Sequence, residues 1–355
     1  MQHNGSMSEP TDHREASSTS SAHRLPWWRW PVAVLMVALG LQLHACKWDD
    51  GAEDRSVGTA HTAPPVRAEW YEIVLQQPGP EVTDATMRRK IEESGHPWKV
   101  RDRATGIEMV LVMPGEFLMG SPESEAGRGS NEGPEHRVRL TKAFYLGATE
   151  VTQAQWRRSM GAFPSFFEGD GKPIDPSWED VQTFLAKANG DNPVGGESLR
   201  LPTEAEWEYA CRAGTTGPFS FEGPISHALV NFNDGDVERA VVVDGKLEVE
   251  WVTRPSPECR MSTALAGSLP PNAWGLHDMH GSLWEWCDDK YSSDGYAGRD
   301  PVVVDPFVRA IGEEARTLRG GSWYDNPRLC RSAVRDAGGP HTRSNRIGFR
   351  VVRTL

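Results

Sequence analysis

The amino-acid sequence predicts an α+β fold with little regular secondary structure, in which loops connect short antiparallel strands and a few helices. Composition is the first observation: 355 residues include 35 Gly and 26 Pro, which leaves little room for long helices. A hairpin signal is the second, because apolar residues flank a Pro-Gly turn at 114–115. The third is a recurring helix start, in which a hydroxyl residue precedes an acid or amide by three positions.

The first two segments of the chain indicate export. Residues 1–23 are rich in Ser, Thr, His and Glu and have almost nothing to bury, so we expect them to be disordered. Residues 24–46 combine a charged start with an apolar run from Val32 to Leu43. That run is shorter than the roughly 20 residues of a membrane span. It has the proportions of a secretory signal.

The end of this second segment resembles a bacterial lipobox, because Ala45 stands directly before Cys46. The resemblance implies that Cys46 is lipidated and becomes the mature N-terminus. We therefore expect a bacterial lipoprotein anchored to a membrane and facing the periplasm or the cell surface. His44 is uncommon at its position, so an uncleaved anchor and an ordinary signal peptide stay open as alternatives. All three export the rest of the chain.

Three further segments complete the expected organisation. Residues 47–68 are polar and predict a tether. Residues 69–104 hold too few apolar side chains for a separate domain, so we expect a strap packed on the main domain. Within it, the stretch 84–94 ("DATMRRKIEES") predicts a short helix that ends before the break at 95–97. The main domain is expected over 105–355.

The main domain carries strand and helix signals in a fixed order. "IEMVLVMPGEFLMGS" predicts a strand, a turn and a second strand, and "IGFRVVR" predicts a closing strand. The helix starts pair Thr152 with Gln155, Ser177 with Asp180, and Thr203 with Glu206. The third helix, "EAEWEYACRAG", is expected to end at Gly214, since glycine readily caps a helix C-terminus.

Charge and motif spacing exclude several classes of function. The 50 acidic residues outnumber the 38 basic ones and give a formal charge of −12. Nucleic acid is therefore not an expected partner, because its binding draws on clustered Lys and Arg. The eleven His show no HxH, HExxH or CxxC spacing, so no zinc or non-haem iron centre is predicted. The sequence also lacks a G-x-S-x-G elbow, a Walker loop and a dinucleotide fingerprint.

Six motifs in one order resemble the formylglycine-generating enzyme family, also called sulfatase-modifying factors. They are "MVLVMPGEFLMGS" (109–121), "EHRVRLTKAFYLGATEVTQAQW" (135–156), "RLPTEAEWEYACRAGT" (200–215), "NAWGLHDMHGSLWEWCDD" (272–289), "LRGGSWYDNPRLCRSAVR" (318–335) and "IGFRVV" (347–352). The resemblance implies a variant of the C-type-lectin fold with bound calcium. It also implies an oxidase that converts a sulfatase cysteine to formylglycine.

In the expected pocket the sequence departs from this family. The resemblance implies two cysteines after Arg-Gly-Gly-Ser that bind copper(I), a metal that soft thiolates suit. Ser322 matches the family's pocket serine, but the first cysteine position holds Asp325, a hard anion, and only Cys330 remains nearby. Arg346 stands where the family usually has Asn, with Asn345 one place earlier. These positions are pocket candidates without an assigned catalytic residue, and copper is not expected.

Cys330 has a second interpretation as half of a structural disulfide. In the oxidising space outside the cytoplasm it is a candidate partner for Cys211. A thiol held in such a bridge cannot bind copper. Cys259 and Cys287 would then pair with each other or stay free, and the sequence leaves the connectivity open.

The family resemblance also implies calcium at the turn "HGSLWE". Glu285 would supply a carboxylate, and Gly281 and Leu283 would supply backbone carbonyls, an oxygen set that suits a hard cation. Ser282 stands where Asn is usual. The alternative is that Glu285 instead pairs with a buried Arg.

A second structural calcium site would join two short motifs, "NFNDGD" and "VVVDGKL". Its ligands would be Asn231 and the carbonyl of Phe232, together with Asp244 and the carbonyl of Lys246.

These observations lead to three functional hypotheses. The leading one is an exported, lipid-anchored protein whose domain binds a protein, peptide or glycan, because its loops are free to vary on a constant scaffold. The second is an oxidoreductase that modifies a protein cysteine, as in sulfatase maturation. The third is a regulatory or structural lipoprotein with a vestigial cleft. The natural ligand and the oligomeric state stay open.

Overall fold

A computed structural model describes residues 70–190, 198–235, 255–297 and 302–355, and the backbone of two further strands within 237–252. All of them lie in one unit, Pro65–Leu355. The disordered start, signal and tether expected over 1–68, with Cys46, fall outside the described residues. Asp244 does as well.

The elements are short, as the Gly and Pro content predicts. The strands are β1 (Tyr71–Leu75), β2 (Lys99–Asp102), β3 (Glu108–Val112), β4 (Gly115–Met119), β5 (His136–Leu140), β6 (Phe144–Gly147), β7 (Val237–Val243), β8 (Lys246–Val252), β9 (Trp284–Lys290), β10 (Val302–Val304), β11 (Arg316–Arg319), β12 (Arg335–Gly338), β13 (Ile347–Gly348) and β14 (Val352–Thr354). The helices are α1 (Ala85–Ser94), α2 (Gln153–Met160), α3 (Trp178–Asn189) and α4 (Glu204–Arg212). Two 3₁₀ turns cover Ser130–Glu132 and Pro327–Cys330.

The largest sheet has five strands in the order β1-β2-β3-β6-β14, and every pair in it is antiparallel. Its first two strands come from the segment 69–104, and Val100 on β2 lies opposite Met109 on β3. Both of these side chains are fully buried. The N-terminal strap is therefore part of the domain's own sheet and core.

Three smaller sheets complete the architecture. Their strand orders are β10-β5-β4, β12-β11-β9-β13, and the pair β7-β8. The sheet β12-β11-β9-β13 matters most for function, because β9 and β11 hold the motifs "WEWCDD" and "TLRGGS" side by side. Leu318 on β11 lies opposite Trp286 on β9.

The predicted strand–turn–strand at 109–121 contains both strands, but they do not form a hairpin. β3 pairs with β2 and β6, whereas β4 pairs with β5 in a different sheet. β3 therefore has a neighbouring strand on each edge. Four of its five residues are also buried. The Pro-Gly step at 114–115 thus moves the chain from one sheet to the next.

The local helix predictions are confirmed at their starts. Thr152, Ser177 and Thr203 each form the expected capping box, with hydroxyl and carboxylate or amide bonds in both directions. Asp84 caps α1 by accepting the amides of Thr86 and Met87. The end of α4 differs from the prediction: its cap is Ala213, at φ 45°, and Gly214 follows it.

Tryptophans and paired arginines fill the core. Trp98, Trp156, Trp207 and Trp286 are almost completely buried, as are Arg319 and Arg350. Arg335 pairs with Glu204, with Nε 2.5 Å from Oε1. Short strands leave many backbone carbonyls without ladder partners, and guanidinium groups bond these carbonyls as well as the buried carboxylates. None of the described helices is long and apolar enough to cross a membrane.

Candidate functional site

Two glycines turn the chain sharply where β11 ends. Gly320 and Gly321 adopt φ values of 100° and 77°, which side chains rarely tolerate. A Cβ on Gly321 would lie 2.6 Å from the Leu329 carbonyl oxygen and 3.0 Å from the Cys330 sulfur. Close backbone packing therefore requires these glycines, and it brings the residues after them back toward β9.

Ser322 and Asp325 meet at the centre of this turn. The Ser322 hydroxyl donates to Asp325 Oδ2 at 2.5 Å, and the indole of Trp284 donates to the same oxygen at 2.7 Å. Ser322 is fully buried, whereas Asp325 is partly exposed. Two donors thus fix the carboxylate at the position where the family resemblance implies a copper-binding cysteine.

Cys330, the remaining cysteine of this loop, is buried close enough to Asp325 to interact with its charge. It ends the turn Pro327–Cys330, is fully buried, and directs its sulfur toward the Asn326 carbonyl at 3.7 Å. Burial, and secondarily the charge of Asp325, raise the pKa of the Cys330 thiol well above its usual range. A thiol in this setting is neither an available thiolate nor an accessible nucleophile.

The expected disulfide between Cys211 and Cys330 is not formed. All four cysteines in the part of the chain that the structure describes are free thiols. Cys211 approaches the Met279 carbonyl at 3.6 Å, while the ring of His280 bonds the Cys330 carbonyl through Nδ1 at 2.8 Å. His280 also approaches the Cys211 sulfur at 3.8 Å, so one imidazole contacts both cysteine residues.

Arg346 and Asn345 border the same turn from the loop before β13. The Arg346 guanidinium lies over the Tyr324 ring, 5.1 Å from its centre, and its backbone carbonyl accepts the amide of Trp284. Asn345 contributes its backbone carbonyl, which accepts the indole of Trp323 at 2.9 Å. The structure therefore places three of the four pocket candidates together, with Cys330 buried behind them.

Glu285 pairs with a buried arginine, which was the alternative to calcium binding. Both carboxylate oxygens bond Arg350, at 2.6 Å each, and Oε2 also accepts the indole of Trp207 at 2.7 Å. Glu285 and Arg350 are both fully buried. A bidentate pair of this kind leaves Glu285 little capacity for a metal ion.

Two other carboxylates close to Glu285 are not satisfied. Within the described residues, neither oxygen of Glu150 meets the geometry of a hydrogen bond, although the nearby Ser282 side chain lowers the pKa of Glu150, and Oδ1 of Asp278 has no partner. Asp278 Oδ2 accepts the amide of Gly267 at 2.6 Å. Burial, followed by the charges of Asp278 and Glu285, raises the pKa of Glu150 well above its usual range. Buried polar atoms without partners are rare and call for an occupant or a proton.

One proposed ligand of the second calcium site, Asn231, lies next to Gly281 of the first. Asn231 forms an isolated bridge with Gly281, and the Asn231 carbonyl accepts the amide of Ser282 at 2.8 Å. The buried Asn231 Oδ1 has no partner among the described atoms, whereas the Phe232 carbonyl accepts the Cys259 thiol at 3.4 Å.

The remaining proposed ligands are Leu283, Asp244 and Lys246. Leu283 is buried beside β9, and Lys246 begins β8 with only its backbone described. Asp244 lies outside the described residues. In the described part of the chain, no group of three or more His, Cys, Asp or Glu side chains is placed to hold a metal.

Comparison with known proteins decides the family. The profile of the sulfatase-modifying factor enzyme 1-like domain matches residues 93–355, which is most of the chain. The chain belongs to this family. A formylglycine-generating enzyme of Streptomyces coelicolor is 33% identical over 299 residues, covering 68% of this chain and 87% of that protein.

Solved structures confirm the predicted variant of the C-type-lectin fold. PvdO from Pseudomonas aeruginosa superposes with a TM-score of 0.58 at 28% identity, covering 72% of this chain and 98% of PvdO. Variable protein 1 of Treponema denticola gives a TM-score of 0.54 at 23% identity, covering 69% and 94% of the two chains. The second likeness concerns the fold alone.

In this sulfatase-modifying-factor domain, sequence reasoning missed the unsatisfied carboxylates. Glu150 stands in "GATEVTQ", directly before a helix cap, and Asp278 stands in "GLHDMHGS". A glutamate within a mostly apolar stretch of a family motif could have identified Glu150 as a buried carboxylate. Nothing local marked Asp278, because its setting depends on the amide of Gly267 from another loop.

Proposed function

We propose that this sulfatase-modifying-factor domain works as a binding or accessory module and does not generate formylglycine. Asp325 carries the proposal. Its carboxylate occupies the position of a copper ligand, and the Ser322 hydroxyl and the Trp284 indole hold it in place. A hard carboxylate is a poor ligand for copper(I), and the remaining Cys330 is buried. The residues present therefore do not fit a two-thiolate copper site.

The second candidate function is an oxidoreductase that modifies a protein cysteine. The favouring observation is the likeness to the Streptomyces coelicolor formylglycine-generating enzyme at 33% identity. The scaffold and the pocket serine are kept. A copper(I) site would therefore need one more soft ligand in addition to Cys330.

A peptide assay separates the two functions. The full chain is incubated with copper(I), oxygen and a peptide bearing Cys-x-Pro-x-Arg, and the aldehyde is detected by aminooxy capture and mass spectrometry. We expect no aldehyde above the protein-free control, while the Streptomyces coelicolor relative serves as the positive control. Aldehyde that depends on the folded chain would overturn the binding-module proposal.

A structural calcium ion is the second part of the proposal. Three carboxylates, Glu150, Asp278 and Glu285, interact electrostatically with the single guanidinium of Arg350. When all are ionised, the group holds two excess negative charges, which a divalent cation neutralises. Glu150 and Asp278 supply free oxygens, and the Gly281 and Leu283 carbonyls complete the expected oxygen set. Since Glu285 is bonded to Arg350, the proposed ligand set moves from Glu285 to Glu150 and Asp278.

Export and lipid anchoring complete the proposal. Residues 24–46 support it through a charged start, an apolar run and a final Cys46. Membrane fractionation of a bacterial host tests it: we expect the wild-type chain in the membrane fraction and Cys46→Ser in the soluble fraction. Equal partition of both chains would remove the lipid anchor.

A further inference from the structure

A run of four aromatic rings borders Ser322 and Asp325 on the protein surface. We call it the aromatic-basic surface: Phe166, Phe167, Trp323 and Tyr324, with the cations Lys172 and Arg346. Neighbouring ring centres are 4.9, 5.1 and 5.4 Å apart, and each ring meets the next edge to face. The two end rings are open to solvent, since Phe166 is 69% and Tyr324 46% exposed.

The cations of this surface are held against its rings. The ammonium of Lys172 lies 5.2 Å from the centre of the Phe167 ring, and the guanidinium of Arg346 lies 5.1 Å from that of Tyr324. Such cation–π contacts fix a charge in place without neutralising it. The ion pairs found among the described residues include no carboxylate partner for either cation.

The two cations stand out against the formal charge of the chain, which is −12. Elsewhere on the surface, arginines such as Arg101 and Arg139 pair with glutamates at 2.6 Å. Fixed cations beside exposed rings therefore make a local site for an anion with an apolar face.

We propose that the aromatic-basic surface binds an acidic oligosaccharide, in which sugar rings pack on Phe166 and Tyr324 while carboxylates pair with Lys172 and Arg346. This inference rests on the proposed binding function and names its ligand class. Sugar rings present an apolar C–H face and a polar edge, which matches rings that alternate with cations. A uronate supplies a carboxylate on the same sugar.

The number of cations favours a short uronate over nucleic acid. Nucleic acid gains its affinity from many clustered cations. This surface offers two cations, which suit the few carboxylates of a short oligosaccharide. An acidic peptide lacks the rigid apolar ring faces that the exposed aromatics fit.

Calorimetric titration of the full chain with tri-galacturonate tests the inference, with cellotriose as the neutral counterpart. We expect tri-galacturonate to bind and cellotriose to bind about tenfold or more weakly, because it lacks the carboxylates. Tyr324→Ala and Arg346→Gln should each weaken tri-galacturonate binding about tenfold. Raising the salt from about 0.05 M to about 0.5 M should also weaken it, since exposed charges are screened.

Two exposed residues elsewhere provide matched controls. Phe307→Ala removes an exposed aromatic (40% exposed) and Arg89→Gln removes an exposed cation. Both variants should bind like the wild type. We expect every variant to fold, because substitutions of exposed side chains usually change stability little. A melting curve checks this.

Several outcomes would overturn the assignment. Unchanged affinity in Tyr324→Ala and Arg346→Gln, or absence of uronate binding by the folded chain, removes the surface as a uronate site. Tighter binding of oligo-glutamate or oligo(dT) than of tri-galacturonate assigns it to a different class of partner. The proposed function fails separately, through aldehyde formation in the peptide assay, so the two failures are distinguishable.

Discussion

The bond between Arg350 and Glu285 joins the last strands of the chain to the centre of the candidate site. Both side chains are fully buried, and two contacts of 2.6 Å link them. Arg350→Met would leave Glu285 charged and unpaired, so we expect a loss of about 3–5 kcal/mol in the free energy of unfolding. Urea unfolding measures it.

An exposed pair with the same shortest contact provides the control for this prediction. Arg101 and Glu108 also lie 2.6 Å apart, but their side chains are 44% and 36% exposed. Arg101→Met should cost about 0–1 kcal/mol, because solvent screens the pair. Equal losses in the two variants would contradict a role for burial.

A second prediction at the residue scale concerns Gly321. Gly95 and Gly321 have similar φ values of 72° and 77°, but a Cβ on Gly95 meets nothing within 4 Å. Gly95→Ala should therefore cost only the left-handed backbone conformation, about 1–2 kcal/mol. Gly321→Ala adds a clash with the Leu329 carbonyl, so we expect roughly 2–5 kcal/mol by urea unfolding.

Similar losses in the two glycine variants would show that the turn after β11 relaxes around a methyl group. The close approach of Leu329 would then not be what requires glycine at this position.

Helix caps were predictable from the sequence, whereas the pairing of Glu285 was not. The difference is the number of residues that separate the two partners along the chain. A capping box involves residues three positions apart, so Thr203 and Glu206 reveal it locally. Glu285 and Arg350 are 65 positions apart. Sequence alone left calcium and a buried Arg as equal alternatives for Glu285, because both satisfy a buried carboxylate.

At the scale of elements, Arg331 connects the turn after β11 to the loop after β4. Its guanidinium bonds both oxygens of Glu132 and also Glu125. Burial raises the pKa of Glu132, but Arg331, the Gly129 amide and the Ser121 hydroxyl outweigh it, so the pKa lies below the ordinary 4.5. The charged carboxylate is thus the form that stabilises the fold.

This network predicts a dependence of stability on pH. Because the folded pKa of Glu132 is depressed, its contribution is fully present above about pH 4.5 and is lost as the pH falls through the folded value. Glu132→Gln should lower the free energy of unfolding by about 1.5–3 kcal/mol at pH 7 and by progressively less below pH 4.5. Urea unfolding at pH 7 and at a series of lower pH values measures this loss.

The exposed Glu116, which pairs with Arg139, is the matched control for Glu132. Glu116→Gln should change stability little at either pH, because solvent screens that pair. A constant cost of Glu132→Gln from neutral to acid pH would contradict the charged network.

Strand existence was predictable at this scale, but strand pairing was not. The alternation in "EMVLVMPGEFLM" identifies β3 and β4, and the Pro-Gly step identifies the turn between them. A pairing depends on which other strands compete for each edge, and β6 and β5 take those edges here. These partners come from a later motif, so a local pattern cannot reveal them.

At the scale of the whole molecule, six ordered motifs were enough to predict the family and the fold. Each motif supplies local geometry, and their common order fixes how the pieces assemble. The candidate site was only partly predictable: Ser322 and Asp325 share one loop, whereas Phe167 contacts Trp323 from a loop 156 positions earlier. The expected disulfide failed for the same reason, because His280 comes from another turn and contacts the Cys211 sulfur and the Cys330 carbonyl.

The balance of buried charge leads to the last prediction, that calcium stabilises the domain. Glu150 is fully buried, and among the described residues neither its oxygens nor Oδ1 of Asp278 has a hydrogen bond of ordinary geometry. Calcium at about 100 times its Kd should add about 2.7 kcal/mol. For a domain of this size that raises Tm by roughly 5–10 °C. Asp278→Asn should reduce this shift, while Asp294→Asn, on an exposed loop, should leave it unchanged. If a chelator leaves Tm unaltered and added calcium does not raise it, the carboxylates are held by protons instead of a metal ion.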